Sequence, residues 1–137
     1  MRFLAWHVDY VRAEPTERGR SSLVEQARPV RAENALLVFA SFEKNDESHQ
    51  ADVIDKAAAE IASIASRLKI TAIVLNPFAH LFAEPSTPDV AISMLDQLSI
   101  SLTERDLTVQ RLAFGMFYEL ELKAKGHRLS RIARSVC

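Results

Sequence analysis

The chain has 137 residues, 48% of them apolar and 26% charged, with a formal net charge of −1; that is enough chain to bury about 68% of its unfolded surface around one core, which excludes wholesale disorder. With so little net charge there is no overall field to attract nucleic acid, so an RNA partner would need a local basic patch. The lone cysteine, Cys137, excludes an internal disulfide, and no apolar run approaches a signal peptide or a membrane span, so one soluble, cytoplasmic domain covering 1–137 is expected.

Arg2 to Tyr10 alternates Phe3, Ala5 and His7 with Leu4, Trp6 and Val8, which predicts a first strand covered on both faces. Residues 11–33 break that pattern at Pro15, Gly19 and Pro29. They interleave Arg12, Arg18, Arg20, Arg28 and Arg31 with Glu14, Glu17, Glu25 and Glu33, which reads either as a solvated loop or as an arm that contacts phosphates. Ala35 to Glu43 predicts a second strand, apolar on both sides until Ser41. Val53, Ile54, Ala57, Ile61, Ile64, Ala65 and Leu68 then recur at helical spacing, predicting a helix over about 51–68.

The run Thr71 to Leu75 predicts a buried strand that stops at Asn76-Pro77, because proline removes a ladder donor. With the strand and helix before it, this makes a βαβ unit, and ligands gather at the carboxyl ends of such strands. Asn76 to His80 is therefore the first candidate site. Ser86-Thr87-Pro88-Asp89 predicts a helix start, and Ala91, Met94, Leu95, Leu98 and Leu102 form the buried stripe of a helix reaching about Glu104. Leu107–Leu112 and Phe117–Lys123 predict two strands of a hairpin around Phe114-Gly115-Met116. Leu129, Ile132, Ala133 and Val136 predict a short closing helix whose other face carries Arg128, Arg131 and Arg134. The expected architecture is α/β: a central mixed sheet with about three helices.

Three glycines, Gly19, Gly115 and Gly126, cannot build a glycine-rich phosphate loop, and no Gly-x-Ser-x-Gly elbow presents a nucleophile. The histidines at 7, 49, 80 and 127 lie far apart; a zinc site from His7, His80 and His127 has no motif behind it, and neither metal nor cofactor is expected.

His7-x-Asp9-Tyr10, Ser41-Phe42-Glu43-Lys44, Pro77-Phe78-Ala79-His80-Leu81, Phe114-Gly115 and Lys125-Gly126-His127, in this order, resemble the N-terminal editing domain of archaeal threonyl-tRNA synthetase. That domain shares its fold with the D-aminoacyl-tRNA deacylases. The resemblance implies hydrolysis of serine wrongly joined to tRNA(Thr), with the threonyl ester spared. It also implies that the seryl-adenosine end binds largely to main chain, with the tRNA's own 2′-hydroxyl helping to activate water. Carried over, His7, Ser41, Phe42, Glu43, Pro77, Phe78, Ala79, His80 and Phe114, Gly115, Met116, Phe117 and Tyr118 bind substrate, with His80 and Tyr118 in supporting catalytic roles.

The sequence departs from the family in two places. Family members carry Tyr-Lys where Phe117-Tyr118 stands and an acid where Arg131 stands, which puts a catalytic lysine in doubt. Arg18, Arg20, Arg128 and Arg131 are expected to contact tRNA, and two copies are expected to pair. A threonyl-tRNA synthetase, separate or as the rest of the same chain, is a further expected partner. A D-aminoacyl-tRNA deacylase and a non-catalytic tRNA-end-binding or dimerisation module stay open as rivals.

Overall fold

The first strand is much longer than its sequence pattern predicts. In the computed structural model, which describes residues 1–79, 81 and 84–137, β1 spans Arg2–Arg18 and pairs antiparallel with β2, Val30–Ser41. The alternation fails at Asp9 because both strands change parity together. Val8 and Ala35 form one rung and Tyr10 and Glu33 the next, with Asp9 and Asn34 between them and Asn34 at φ 45°. Val8, Val11 and Ala13 consequently bury on the same face. From this point the pair continues as an arm that carries β5, Met116–Ala124, along its outer edge.

β2, α1 (Gln50–Leu68) and β3 (Ala72–Pro77) form the expected βαβ unit, with β2 and β3 parallel. After α2 (Pro88–Thr103), β4 (Thr108–Arg111) adds in parallel beside β3. The sheet order is β4-β3-β2-β1-β5, and β6, Arg131–Ser135, pairs with the first part of β1 beside which β5 is absent. Two expectations are corrected. β4 and β5 are not a hairpin, since the chain between them passes from β3's edge to β1's. The third helix is β6: Ile132 and Val136 lie four apart, a spacing that serves a strand as well as a helix, and the free edge of Arg2–Trp6 decides between them. Among the described residues the helices are thus α1, α2 and one 3-10 turn, Lys44–Ser48.

Both helices pack on one face of the sheet. Ile61 and Ile64 of α1 and Met94, Leu95, Leu98 and Leu102 of α2 meet Phe3, Leu36, Ile73 and Leu75, all under 2% exposed. Each such aliphatic side chain contributes about 1.5–3 kcal/mol on burial. The other face carries no helix among the described residues. Val8, Leu37, Val74 and Leu112 are buried there under Tyr118, Leu120 and Leu122 of β5, while Trp6 and Phe39 remain half-buried.

Candidate functional site

Because β2, β3 and β4 run parallel, their carboxyl ends leave the sheet at one edge. The last β2–β3 rung pairs Ala40 with Pro77; one residue on, the Phe78 N–H donates to the Ala40 carbonyl at 2.8 Å, and the Ser41 hydroxyl reaches the Ala79 carbonyl at 3.5 Å. Proline at 77 ends the ladder and turns Phe78 and Ala79 outward, where both are exposed. His80 lies outside the described residues.

The β2 exit is anchored from behind. Phe42 buries its ring in the helix-side core, and Glu43 opens the 3-10 turn by donating its N–H to Asp46 Oδ2 at 2.7 Å. Asp46 Oδ1 in turn takes a hydrogen bond from the chain's N-terminal amine at 2.6 Å, while the Glu43 carboxylate lies 3.5 Å from that amine and from Arg2 Nε. The segment leading to α2 is tied on by Ser86 N–H to the Phe42 carbonyl, 3.0 Å, and Thr87 N–H to Glu47 Oε1, 3.0 Å. The Thr87 bond, with help from Lys44, holds the Glu47 carboxyl below the usual carboxylate range.

The third exit, after β4, is the Phe114-Gly115 turn. Gly115 sits at φ +82°, and a Cβ there would lie 2.8 Å from the Leu23 carbonyl oxygen, so no side chain fits. Residues 19–25 clasp this turn: Gly19 N–H donates to the Gly115 carbonyl at 2.7 Å, Glu25 N–H to the Phe114 carbonyl at 3.0 Å, and Phe114 N–H to Glu25 Oε1 at 3.0 Å. Arg111 ion-pairs with Glu25 and, at 2.8 Å, with Asp96. Glu25 is therefore a supporting residue that sequence reasoning missed, because 89 positions separate it from its partner and its own neighbourhood is only a charged loop.

Tyr118 accepts a hydrogen bond from Ala113 N–H at 2.8 Å, which leaves its own hydroxyl proton free to donate. It packs on the helix-free face with Trp6 and Phe39. Met116, half-buried, begins β5; Phe117, 57% exposed, points to the opposite side from Tyr118, as strand alternation requires. The structure thus brings Ser41, Pro77, Phe78 and Ala79 to one edge and the Phe114-Gly115 turn to the neighbouring exit, with Tyr118 bonded to its base.

His7 is placed elsewhere. Its ring is buried, with Nδ1 2.9 Å from His127 Nε2 and Nε2 2.9 Å from Asn34 Oδ1. Leu129 N–H donates to His127 Nδ1 at 3.2 Å, and that bond fixes the rest: His127 Nε2–H donates to His7 Nδ1, and His7 Nε2–H to Asn34 Oδ1. Two residues along β1 from His7, Asp9 pairs with Lys125, whose hydrogen bond holds the carboxyl below the usual range. His7, Asp9, Lys125 and His127 thus join β1 to the segment that precedes β6.

Arg18, Arg20, Arg128 and Arg131 are all exposed, and they do not form one patch: Arg18 ends the β1 arm beside Met116, while Arg131 opens β6 opposite Trp6. The Arg131 guanidinium lies 5.7 Å from the centre of the Trp6 ring. Among the described residues, no three His, Cys, Asp or Glu side chains converge to hold a metal ion, and no helix is long and apolar enough to cross a membrane.

Residues 1–136 match the family model of the archaea-specific editing domain of threonyl-tRNA synthetase. Similar proteins include the threonine–tRNA ligases of Thermococcus gammatolerans and Methanopyrus kandleri, each 35% identical over 139 residues, and of Methanosarcina mazei, 33% identical over 138. The matches cover 99% of this chain and 22% of each of those proteins, so the chain spans about a fifth of their length. A solved structure described as a probable eukaryotic D-amino acid tRNA deacylase superposes with a TM-score of 0.59 over 97% of this chain and 98% of that one. With 14% identity, the likeness is one of fold.

Proposed function

Since the chain belongs to the archaea-specific editing domains of threonyl-tRNA synthetase, we propose that it removes L-serine from mischarged tRNA(Thr) in the cytoplasm and spares the threonyl ester. Water adds to the ester carbonyl, the bond to the terminal ribose breaks, and serine and free tRNA leave. One methyl group separates the two amino acids, and binding alone discriminates that by only about 1–3 kcal/mol, so the methyl must be excluded sterically. The observation that carries this reading is the shared edge of β2 and β3: among Ser41 and Pro77–Ala79 the one side-chain hydroxyl is donated to the Ala79 carbonyl and the Phe78 N–H to the Ala40 carbonyl, so these residues offer main chain and no free nucleophile. That supports a reaction in which main chain positions the substrate and the tRNA's 2′-hydroxyl activates water. In this reading Tyr118, standing where the family resemblance implies lysine, supplies a neutral donor and not a charge.

The test is hydrolysis of seryl- and threonyl-tRNA(Thr) by this chain, with a 2′-deoxy terminal adenosine as control. Loss of serine alone, abolished in the deoxy substrate, is the expected result. Persistence of seryl-tRNA would refute it. The fold shared with a protein described as a D-amino acid tRNA deacylase supports a second reading, which faster cleavage of D- than of L-seryl ester would establish. The remainder of a threonyl-tRNA synthetase and a second copy of this chain are partners in the same proposal; co-purification and sedimentation test them.

A further inference from the structure

The chain that follows β3 is hydrogen-bonded to the β2 exit both before and after its turn. The Ala40 carbonyl takes the Phe78 N–H at 2.8 Å, the Phe42 carbonyl takes the Ser86 N–H at 3.0 Å, and the Lys44 N–H donates to the Glu84 carbonyl at 2.9 Å. Residues 40–44 thus act as a rail, and a shift of the rail carries the main chain at Phe78 and Ala79 with it. What holds the rail is a side chain that faces away from any ester. Asp46 is 3% exposed, and both of its oxygens are committed: Oδ2 accepts the Glu43 N–H at 2.7 Å and Oδ1 the N-terminal amine of Met1 at 2.6 Å.

The amine is fully buried and donates also to the Val136 carbonyl at 2.9 Å, so it joins the start of β1, the end of β6 and the 3-10 turn at one point. The Glu43 carboxylate lies 3.5 Å from the same amine, and its Oε2 is buried without a hydrogen-bond partner. Two acids therefore share one ammonium. Charges taken so far out of water persist only when paired, and hydrogen bonds to them are the short, strong ones. We propose that Asp46 is a positioning residue: through the Glu43 N–H it sets the β2 exit, and through that exit the main-chain wall at Phe78 and Ala79. Its effect on rate rests on the deacylase reading given above; its hold on the wall does not.

Asp46→Asn keeps the size of the side chain but offers one acceptor oxygen where two are needed. A chain extended by one glycine ahead of Met1 keeps Asp46 and replaces the ammonium with a neutral amide, so the test stands even if the Asn variant fails to fold. Two readouts are taken: amide exchange at Phe78 and Ser86, with Val74 and Leu98 reporting global opening, and single-turnover cleavage of seryl-tRNA(Thr) at varied enzyme concentration. Phe78 and Ser86 should exchange at least about tenfold faster beyond any change at Val74 and Leu98. The maximal cleavage rate should fall about tenfold, with the half-saturating concentration within about twofold of the parent, as misplacement without lost binding requires. Asp55→Asn, an exposed α1 acid paired with Arg105, should change neither readout. Equal acceleration at all four amides, or a rate loss no larger than the loss of folded protein, would make Asp46 a stabilising residue only and overturn the proposal; unchanged exchange at Phe78 and Ser86 would overturn it as well. Local acceleration in variants of a parent that cleaves no seryl ester would keep the hold of Asp46 on the wall and remove the deacylase reading.

Discussion

The two faces of the sheet are built to opposite specifications. The helix-covered face puts Leu36, Val38, Ile73 and Leu75 under α1 and α2 with essentially no exposure, whereas β1 and β2 present Leu4, Trp6 and Phe39 half-open on the other. A residue one step along β2 thus moves from holding the fold to facing a ligand. Stability and recognition are separated by strand alternation, so mutations on the two faces should affect different measurements.

Ala79→Leu should have the largest effect on activity. The side chain is exposed, so stability should stay within about 0.5 kcal/mol of the parent, while seryl-tRNA cleavage falls at least about a thousandfold, roughly 4 kcal/mol in the barrier. His80→Ala should cost less than tenfold; equal losses from both would break the argument that the pocket wall outweighs the side-chain chemistry. Leu98→Ala is the converse. It removes a fully buried side chain between α2 and the sheet and should cost about 2–5 kcal/mol by urea denaturation, with activity per folded molecule unchanged.

The part of this division legible in the sequence was the local part. Val53 to Leu68 and Ala91 to Leu102 show their buried stripes by periodicity, and the run ending at Pro77 announced its strand and its exit. What sequence hid was set by distant partners. β1 reads as ending near Tyr10 because its parity changes at Asp9, which makes sense only with Asn34 changing in step across the ladder. β6 reads as a helix until the free edge of Arg2–Trp6 is known, and Glu25 reads as a loop charge until Phe114 is placed against it. Of the candidate site, the Pro77–Ala79 and Phe114-Gly115 turns were legible as motifs, whereas the location of His7 beside His127, away from them, was not.

The remaining tests sharpen the comparison with smaller effects. Gly115→Ala should cost about 1–3 kcal/mol, since it strains the backbone at φ +82° and pushes a methyl into the Leu23 carbonyl; a thermal melt reads the loss. Tyr118→Phe leaves the Ala113 N–H without its acceptor and should cost about 1 kcal/mol in the same melt. If it also lowers seryl-tRNA cleavage by more than that loss of folded protein explains, the hydroxyl acts in the site. The smallest effect should come from Asp9→Asn. Lys125 lowers the Asp9 carboxyl from its ordinary 3.8, so the pair's contribution is present above that pH and disappears as pH falls through the lowered value. Urea midpoints of parent and variant should therefore differ slightly at pH 7 and converge in acid.

The double partnership of β1 also sets an order in time. Its residues are made before the other strands of this sheet, yet one whole edge waits for Met116–Ala124 and Arg131–Ser135, the last of these strands in chain order. Until then Arg2–Arg18 can pair only with β2, and its open edge is a template for another nascent chain. Closure of such distant pairs is slow, because the entropy of a long loop must be lost before any contact forms. Assembly of this sheet on the ribosome therefore finishes only after β6 emerges, and crowding of unfinished chains, more than instability of the finished one, is where its synthesis should fail.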